Sequence, residues 1–300
     1  MLRKRLEAPL AIGSWLLAMA FGLLALSALT SCVHGQQHPK ADPIKDNSFL
    51  IEEAYNQDAG VVQHIYTFSR PMSGSDWAFS FSQEWPVRGM RHQVSYTVPM
   101  LRTGAGLLAS EGVGDISLQY RYQLLGVDGG PLYVAPRAAL VLATGDVTRG
   151  RGIGGSSTQL ALPVSLELNP SFTVHGNLGL THTPHAQNEL HDRASLTSYN
   201  AGASFVWSPS STFNVLLEST WATTASVIAN DLIVRERQTQ IAPGIRWAYN
   251  LPGGIQIVPG LAYVVGPTRN QKSLFIYLSI EHPFTRQHSE SRSLPTEPTN

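Results

Sequence analysis

Cysteine and lysine are almost absent from this sequence of 300 residues. Cys32 is the only cysteine, so a fold stabilised by internal disulfide bonds is excluded. After Lys45 the only lysine is Lys272, and charged residues make up 14% of the chain, against roughly 25% in an ordinary soluble domain. A soluble sheet would be expected to have more Lys and Glu on its solvent-exposed face than this sequence provides. The formal net charge is zero, so no basic surface predicts nucleic-acid binding.

The first 32 residues have the pattern of an export signal. Basic residues at positions 3–5 precede a mostly apolar run from 8 to 29, which is typical of a signal peptide. Residues 29–32 read LTSC and resemble the lipobox of bacterial lipoproteins, in which Cys32 would be acylated. Ordinary cleavage nearby and an uncleaved membrane-spanning segment are the alternatives. We assign 1–32 to a signal segment, with Cys32 as a candidate lipidation site.

A clear alternation of apolar and polar residues runs from position 159 to 181. Large aliphatic residues occupy every second position from 160 to 168, Asn169-Pro170 breaks the run, and the alternation resumes at Phe172. Asn-Pro is a turn dipeptide. Because successive strand side chains point to opposite faces, this pattern predicts a hairpin with one apolar and one polar face.

Similar segments recur to the end of the chain and predict about twelve strands. Most have about 10 to 14 residues, roughly twice the length of a globular strand and close to that of a tilted strand crossing a bilayer. The predicted strands are 61–70, 76–86, 91–100, 115–125, 131–142, 157–168, 171–181, 198–208, 212–222, 236–249, 254–265 and 272–284. We therefore predict an all-β fold, a transmembrane antiparallel up-and-down β-barrel, at 59–284. A tether at 33–58, which could hold a short helix at 49–57, precedes it, and a polar tail at 285–300 follows.

The connections between these strands alternate between short turns and longer loops. The longer ones are 101–114, 143–156, 182–197 and 223–235. Short periplasmic turns, long external loops and an even strand number are typical of outer-membrane barrels. Aromatic residues also gather at both ends of the predicted strands, where interfacial girdles are expected; examples are Trp207 and Trp221.

Several stretches resemble a known family. They are FLIEEAYNQ at 49–57, GVVQHI at 60–65, QEWP at 83–86, residues 91–99, GVGDISLQYRYQLL at 112–125, PRAALVLATGD at 136–146 and residues 159–164. Over about 49–284 the chain resembles the meta-pathway phenol-degradation family of transporter-like outer-membrane proteins. The resemblance implies an outer-membrane barrel associated with the uptake of aromatic or other hydrophobic compounds.

Charged residues on the polar face of the strands are the candidate functional residues. Strand alternation places these residues on one face of the sheet. That face must point into the lumen, because turning an arginine into lipid would cost about 2–4 kcal/mol near the midplane. They could pair and fill the interior, as in eight-stranded barrels, or line a path and set its selectivity. Twelve strands lie between the filled eight-stranded and the open 16–18-stranded barrels, which favours a narrow lumen. The candidates are Glu84, Arg91, Arg121, Arg137, Glu167, His175, Glu218 and Arg246.

Enzymatic alternatives have weaker support in the sequence. Residues 150–155 satisfy G-x-G-x-x-G, but the dinucleotide motif needs a helix to begin there, and a strand is predicted instead. His182, His185 and His191 share one predicted loop and could bind a metal, but an exposed polar loop is the favoured explanation for them. A hydrolytic set of Ser165, His175 and Glu218 has no spacing that places a nucleophile beside a base. We predict no catalysis, no cofactor and no metal.

The sequence thus predicts a cell outer-membrane channel that passes small, aromatic or hydrophobic solutes by diffusion through a narrow lumen. The alternative is a closed structural or surface-binding barrel without transport. The expected partners are outer-membrane lipid, a small-molecule solute and the barrel assembly machinery, with no nucleic acid.

Overall fold

A computed structural model describes residue 44, residues 48–267 and residues 271–284. The signal segment, Cys32 and the polar tail lie outside the described residues. The strands are β1 (Val61–Pro71), β2 (Trp77–Val87), β3 (His92–Thr103), β4 (Ser110–Val113), β5 (Ile116–Tyr122), β6 (Leu132–Val134), β7 (Arg137–Leu142), β8 (Ser157–Asn169), β9 (Phe172–Gln187), β10 (Arg193–Ser210), β11 (Phe213–Ala229), β12 (Leu232–Trp247), β13 (Tyr249–Leu251), β14 (Ile255–Val265) and β15 (Lys272–Pro283).

These strands form one closed antiparallel sheet. Each strand pairs with its neighbours in chain order, and β1 pairs with β15, from Val61 opposite Pro283 to Pro71 opposite Ser273. The short strands β4, β6 and β13 continue β5, β7 and β12, so the barrel has twelve strands. The predicted all-β up-and-down barrel is confirmed. In the described part of the chain the only helical turns are 3-10 turns at Gly106–Leu108 and Val147–Arg149, and no helix there has the length and apolarity to cross a membrane.

The two faces of the sheet differ as the alternation predicts. On β8, Leu160 and Leu162 are exposed on the outer face, whereas Ser165 is fully buried on the inner face. The paired strand β9 exposes 62% of Leu178 and buries His175. A continuous apolar outer surface would be unfavourable in water, and it matches the hydrocarbon of a bilayer. Other exposed aliphatic residues of this surface are Leu140, Leu217, Ile241, Ile245, Leu261 and Ile276.

The predicted loops 182–197 and 223–235 are mostly strand, and their prediction as long loops was wrong. β9 and β10 extend to a five-residue turn, 188–192, and β11 and β12 meet at Asn230 and Asp231. These segments contain several Thr, Val and Ile residues, such as Thr224, Val227 and Ile233, which favour strands. A hairpin that projects beyond the membrane has water on both faces and therefore lacks the apolar–polar alternation of the membrane-crossing strands. Its polar sequence was for this reason predicted to be loop.

We expect Leu162→Arg to prevent or weaken assembly, since it places a cation on the lipid-facing side at a cost of about 2–4 kcal/mol near mid-depth. Gln159→Arg, three positions away on the inner face, should be tolerated. The measurement is the fraction of protein with the heat-modifiable electrophoretic mobility of a folded barrel. Equal yields from the two variants would contradict the assigned faces.

Candidate functional site

A segment of the chain just before β1, residues 48–57, lies inside the barrel. The Ile44 amide donates a hydrogen bond to the carbonyl of Ser211, in the turn between β10 and β11. Residues 48–57 reach into the lumen, and β1 begins at Val61, at the same end of the barrel as Ile44. By the convention that short turns are periplasmic, this end is the periplasmic mouth. The segment has no helical turn, so the short helix considered at 49–57 is not formed.

The apolar tip of the segment fits gaps left by glycines in the wall. The ring centroid of Phe49 lies 5.5 Å from that of Tyr277. A Cβ added at Gly260 would lie 2.6 Å from Phe49 Cε1, and one at Gly202 would lie 2.1 Å from Ile51 Cδ1. Glycine within a strand often marks a place where another group approaches the backbone closely. These glycines therefore create the space that the segment occupies.

The backbone amides of the segment are satisfied by side chains of the wall. Having no regular structure, the segment cannot pair its own backbone groups, and buried amides without partners would be costly. Both carboxylate oxygens of Glu218 accept from the segment. The bonds run from Phe49 N to Glu218 Oε1 (3.0 Å), Leu50 N to Glu218 Oε2 (2.9 Å), Ala54 N to Ser165 Oγ (2.8 Å), Asn56 N to Gln123 Oε1 (2.9 Å) and Gln57 N to Gln93 Oε1 (2.8 Å).

Arg121 on β5 binds three residues of the segment. Its Nε donates to Asn56 Oδ1 at 3.0 Å, while Nη1 and Nη2 donate to the carbonyls of Glu53 (3.2 Å) and Tyr55 (2.8 Å). Glu84 on β2 lies 3.4 Å from Nη2. A guanidinium has five donors in a fixed fork, so one buried arginine fixes both the position and the direction of the segment.

Glu53 carries a negative charge into the centre of the barrel. One carboxylate oxygen, Oε1, lies 3.4 Å from Arg246 Nη2 and 3.5 Å from His175 Nε2, and accepts a bond from Ser48 Oγ at 2.8 Å. Arg246 also donates from Nε to Asn214 Oδ1. A buried carboxylate is stable only when it is paired and hydrogen-bonded. The inner face thus supplies the partners that Glu53 needs.

An open cavity remains beside the segment. Its volume is about 210 Å³, and it lies between the segment and the wall formed by β1, β2, β3, β5 and β7. Arg137 borders it and makes a bidentate ion pair with Glu52 of the segment, with Nη2–Oε1 at 2.6 Å and Nε–Oε2 at 2.7 Å. The other polar residues around the cavity are Ser48 of the segment and, on the wall, Ser82, Glu84, Gln93, Ser95, Thr97, Gln119 and Arg121. The cavity is therefore lined by both signs of charge and by hydroxyl and amide groups.

Seven of the eight candidate residues lie on the inner face. Glu84, Arg121, His175, Glu218 and Arg246 are buried there, and Arg137 and Glu167 are half-buried. Glu167 accepts a hydrogen bond from the Tyr55 hydroxyl at 3.3 Å. Arg91 is different: it lies exposed in a turn, because β3 begins one residue later at His92, so strand parity does not apply to it. A role in selectivity for the other seven remains a prediction.

Four further residues of the site are not among the candidates predicted from the sequence: Glu52 and Glu53 of the segment, and the wall amides Gln93 and Gln123. One signal for the acids was available: Glu52 and Glu53 are adjacent in an otherwise apolar stretch. In a barrel with arginines predicted to face inward, such acids are candidate partners for them. No periodicity connects them, however, so the contact could not be read from local sequence.

Ser165, His175 and Glu53 form a serine–histidine–carboxylate arrangement. Ser165 Oγ lies 2.7 Å from His175 Nδ1. Ser165 is fully buried and also accepts the amide of Ala54, which leaves no room for a substrate carbonyl. The hydroxyl therefore serves to hold the segment. Glu218, the acid proposed for this set from the sequence, instead binds the amides of Phe49 and Leu50.

The glycine-rich residues 150–155 pack between loops. A strand, β8, follows them, and a Cβ at Gly152 would lie 2.7 Å from Asp115 Oδ1. Asp115 accepts the amides of Gly145 and Ile153. Hydrogen bonds from Thr148, and nearby arginines, hold the pKa of the Asp146 carboxyl below its usual value. Close packing accounts for these glycines. Within the described residues, no three His, Cys, Asp or Glu side chains are grouped as a metal site.

No protein-family model and no curated protein sequence matches this chain. Solved structures do match. An outer membrane channel from Pseudomonas putida F1 superposes with a TM-score of 0.54 at 13% identity, over 81% of this chain and 99% of that one. The KdgM porin superposes with a TM-score of 0.41 at 8% identity, over 74% of this chain and 99% of that one. The CymD monoaromatic hydrocarbon channel superposes with a TM-score of 0.34 at 13% identity, over 75% of this chain and 88% of that one. The latter two scores are too low to show a shared fold.

The first of these similarities shows the fold. Together with the apolar outer surface and the polar interior, it defines this protein as an outer-membrane β-barrel. The finer resemblance to the phenol-degradation family stays a prediction.

Gly260→Ala should displace the tip of the segment, because the new Cβ would overlap the Phe49 ring. Overpacking of this kind costs about 1–3 kcal/mol. Gly176→Ala on β9 is the matched control, since nothing lies within 4 Å of a Cβ there. Thermal unfolding of both variants in detergent is the measurement. A Gly260→Ala variant as stable as the Gly176→Ala control would show that the ring does not occupy this position.

Proposed function

We propose that this protein is a diffusion channel of the outer membrane for small solutes, aromatic or hydrophobic ones among them. The observation that carries the proposal is the cavity of about 210 Å³ that remains open beside the segment. A barrel with a purely structural role would be expected to fill its interior with packed side chains. The occurrence of this fold in an outer membrane channel, and the sequence resemblance to proteins linked with aromatic compounds, support the same proposal.

The size of the cavity limits what could pass. Its volume is about 210 Å³, below the roughly 300–1,000 Å³ of pockets for drug-sized ligands. In this conformation the path is suited to small solutes, and larger ones would require the segment to move. The segment therefore acts as a constriction, and its position sets the width of the channel.

The charges at the cavity would set its selectivity. Arg137 is paired with Glu52, and Arg121 lies 3.4 Å from Glu84, so neither sign of charge dominates the lining of the cavity. Charged side chains at a constriction control which ions pass. A balanced lining favours neutral solutes over ions of either sign, which is consistent with an aromatic or hydrophobic substrate.

A closed barrel that binds a partner at its surface is the second candidate. The long β9–β10 and β11–β12 hairpins favour it, because they project beyond the aromatic girdle and offer paired, exposed strands. This candidate predicts binding that depends on the hairpins and a permeability that does not depend on the segment.

Replacing residues 49–57 with a Gly/Ser linker of the same length should increase single-channel conductance in planar bilayers, because the constriction is removed while the wall remains. As a control, the external residues 106–109 are replaced in the same way, and conductance should stay at the wild-type value. No conductance and no solute flux from either the wild type or the linker variant would overturn the channel proposal and leave the closed barrel.

Arg137→Gln should make the channel more selective for cations, because it leaves the Glu52 carboxylate without its bidentate partner at the cavity. The measurement is the reversal potential in a salt gradient. Arg91→Gln is the control, since it removes an equal charge from an exposed turn. A shift of the same size in both variants would show that the effect is a general surface charge and not a property of the cavity.

A further inference from the structure

Two arginines on the outer face of β12 lie above the membrane-facing surface. Arg235 and Arg237 share the parity of Ile241 and Ile245, which are exposed to lipid. Both arginines are themselves exposed. Neither arginine borders the cavity beside the segment.

Their height follows from the register. Trp221 on β11 pairs with Thr239, and Thr223 pairs with Arg237, so Arg237 lies one step beyond an outward tryptophan. Arg237 is four residues from Ile241, about 13 Å along the strand. Aromatic rings of barrels mark the level of the lipid headgroups. Arg235 and Arg237 thus lie at the headgroup level of the outer leaflet or just above it.

The two side chains border a recess of about 580 Å³ together with Tyr199 and Thr223. Arg235 donates from Nη1 to the carbonyl of Thr197, which holds one guanidinium in place. Across the described residues, neither arginine forms an ion pair with a carboxylate. The neighbouring acid, Glu236, has the opposite parity and faces the other way. The recess is therefore positively charged, with no balancing carboxylate of its own in that part of the chain.

We propose that this recess binds a phosphate group of lipopolysaccharide in the outer leaflet. Charge complementarity favours this ligand, because the recess holds two guanidinium groups without a paired carboxylate and the lipid A of that leaflet carries phosphates at this height. Two guanidinium groups donate paired hydrogen bonds to phosphate oxygens. The ring of Tyr199 offers an apolar surface for the sugar or the start of an acyl chain. This site is independent of the channel proposal.

The test uses the full protein in detergent micelles, with diphosphorylated lipid A as the probe and native mass spectrometry as the readout. The double variant Arg235→Gln/Arg237→Gln should bind about thirtyfold more weakly, the loss expected for two arginines at an anionic membrane surface. Arg88→Gln/Arg91→Gln, which removes two exposed charges from the opposite rim, should bind like the wild type. Heat-modifiable mobility confirms that each variant is folded.

Further probes separate the sources of phosphate. The wild type should bind dephosphorylated lipid A weakly. Its affinity for that probe should equal the affinity of the Arg235→Gln/Arg237→Gln variant for phosphorylated lipid A. Millimolar inorganic phosphate should not displace lipid A; displacement would assign the recess to a free anion and overturn the lipid proposal. Equal lipid A affinity of the wild type and the Arg235→Gln/Arg237→Gln variant would overturn it as well.

Discussion

The structure depends on the pairing of its first and last strands. Within hydrocarbon no water can satisfy an unpaired backbone amide or carbonyl, so a sheet that crosses a membrane must have no edge. The ladder between β1 and β15 removes both edges. Closure then assigns the two faces of every strand, because the outer face meets lipid and the polar residues must turn inward.

An interior of this size creates a second requirement. Polar and charged side chains of the inner face, among them Arg121, Glu218 and Arg246, are buried there and need hydrogen-bond or charge partners. The chain meets this requirement with its own residues 48–57. Glu53 supplies the anion for Arg246, the carbonyls of the segment accept from Arg121, and Glu218 and Ser165 accept its amides. Wall and segment therefore stabilise each other, and neither would be fully satisfied alone.

The alternating pattern was sufficient to predict the strands, their faces and the closed barrel, because lipid on one side and polar groups on the other impose a period of two. Leu162, Ser165 and His175 lie on the faces that parity assigned to them. The failures have physical reasons. Outside the membrane both faces are wet, so the ends of β9–β12 lack the alternation. Arg91 falls in a turn, where parity has no meaning. The path of the segment depends on pairs such as Arg121 and Asn56, which are 65 positions apart and leave no local pattern.

The segment enters and leaves through a single mouth, with Ile44 beside the turn at Ser211 and Val61 beginning β1 at that same end. The segment is bound to the wall through side chains such as Arg121 and Glu218, whereas the wall itself is held by the ladders between strands. Loss of the interior contacts would therefore leave the ladder bonds intact and would expose no strand edge to the surrounding lipid.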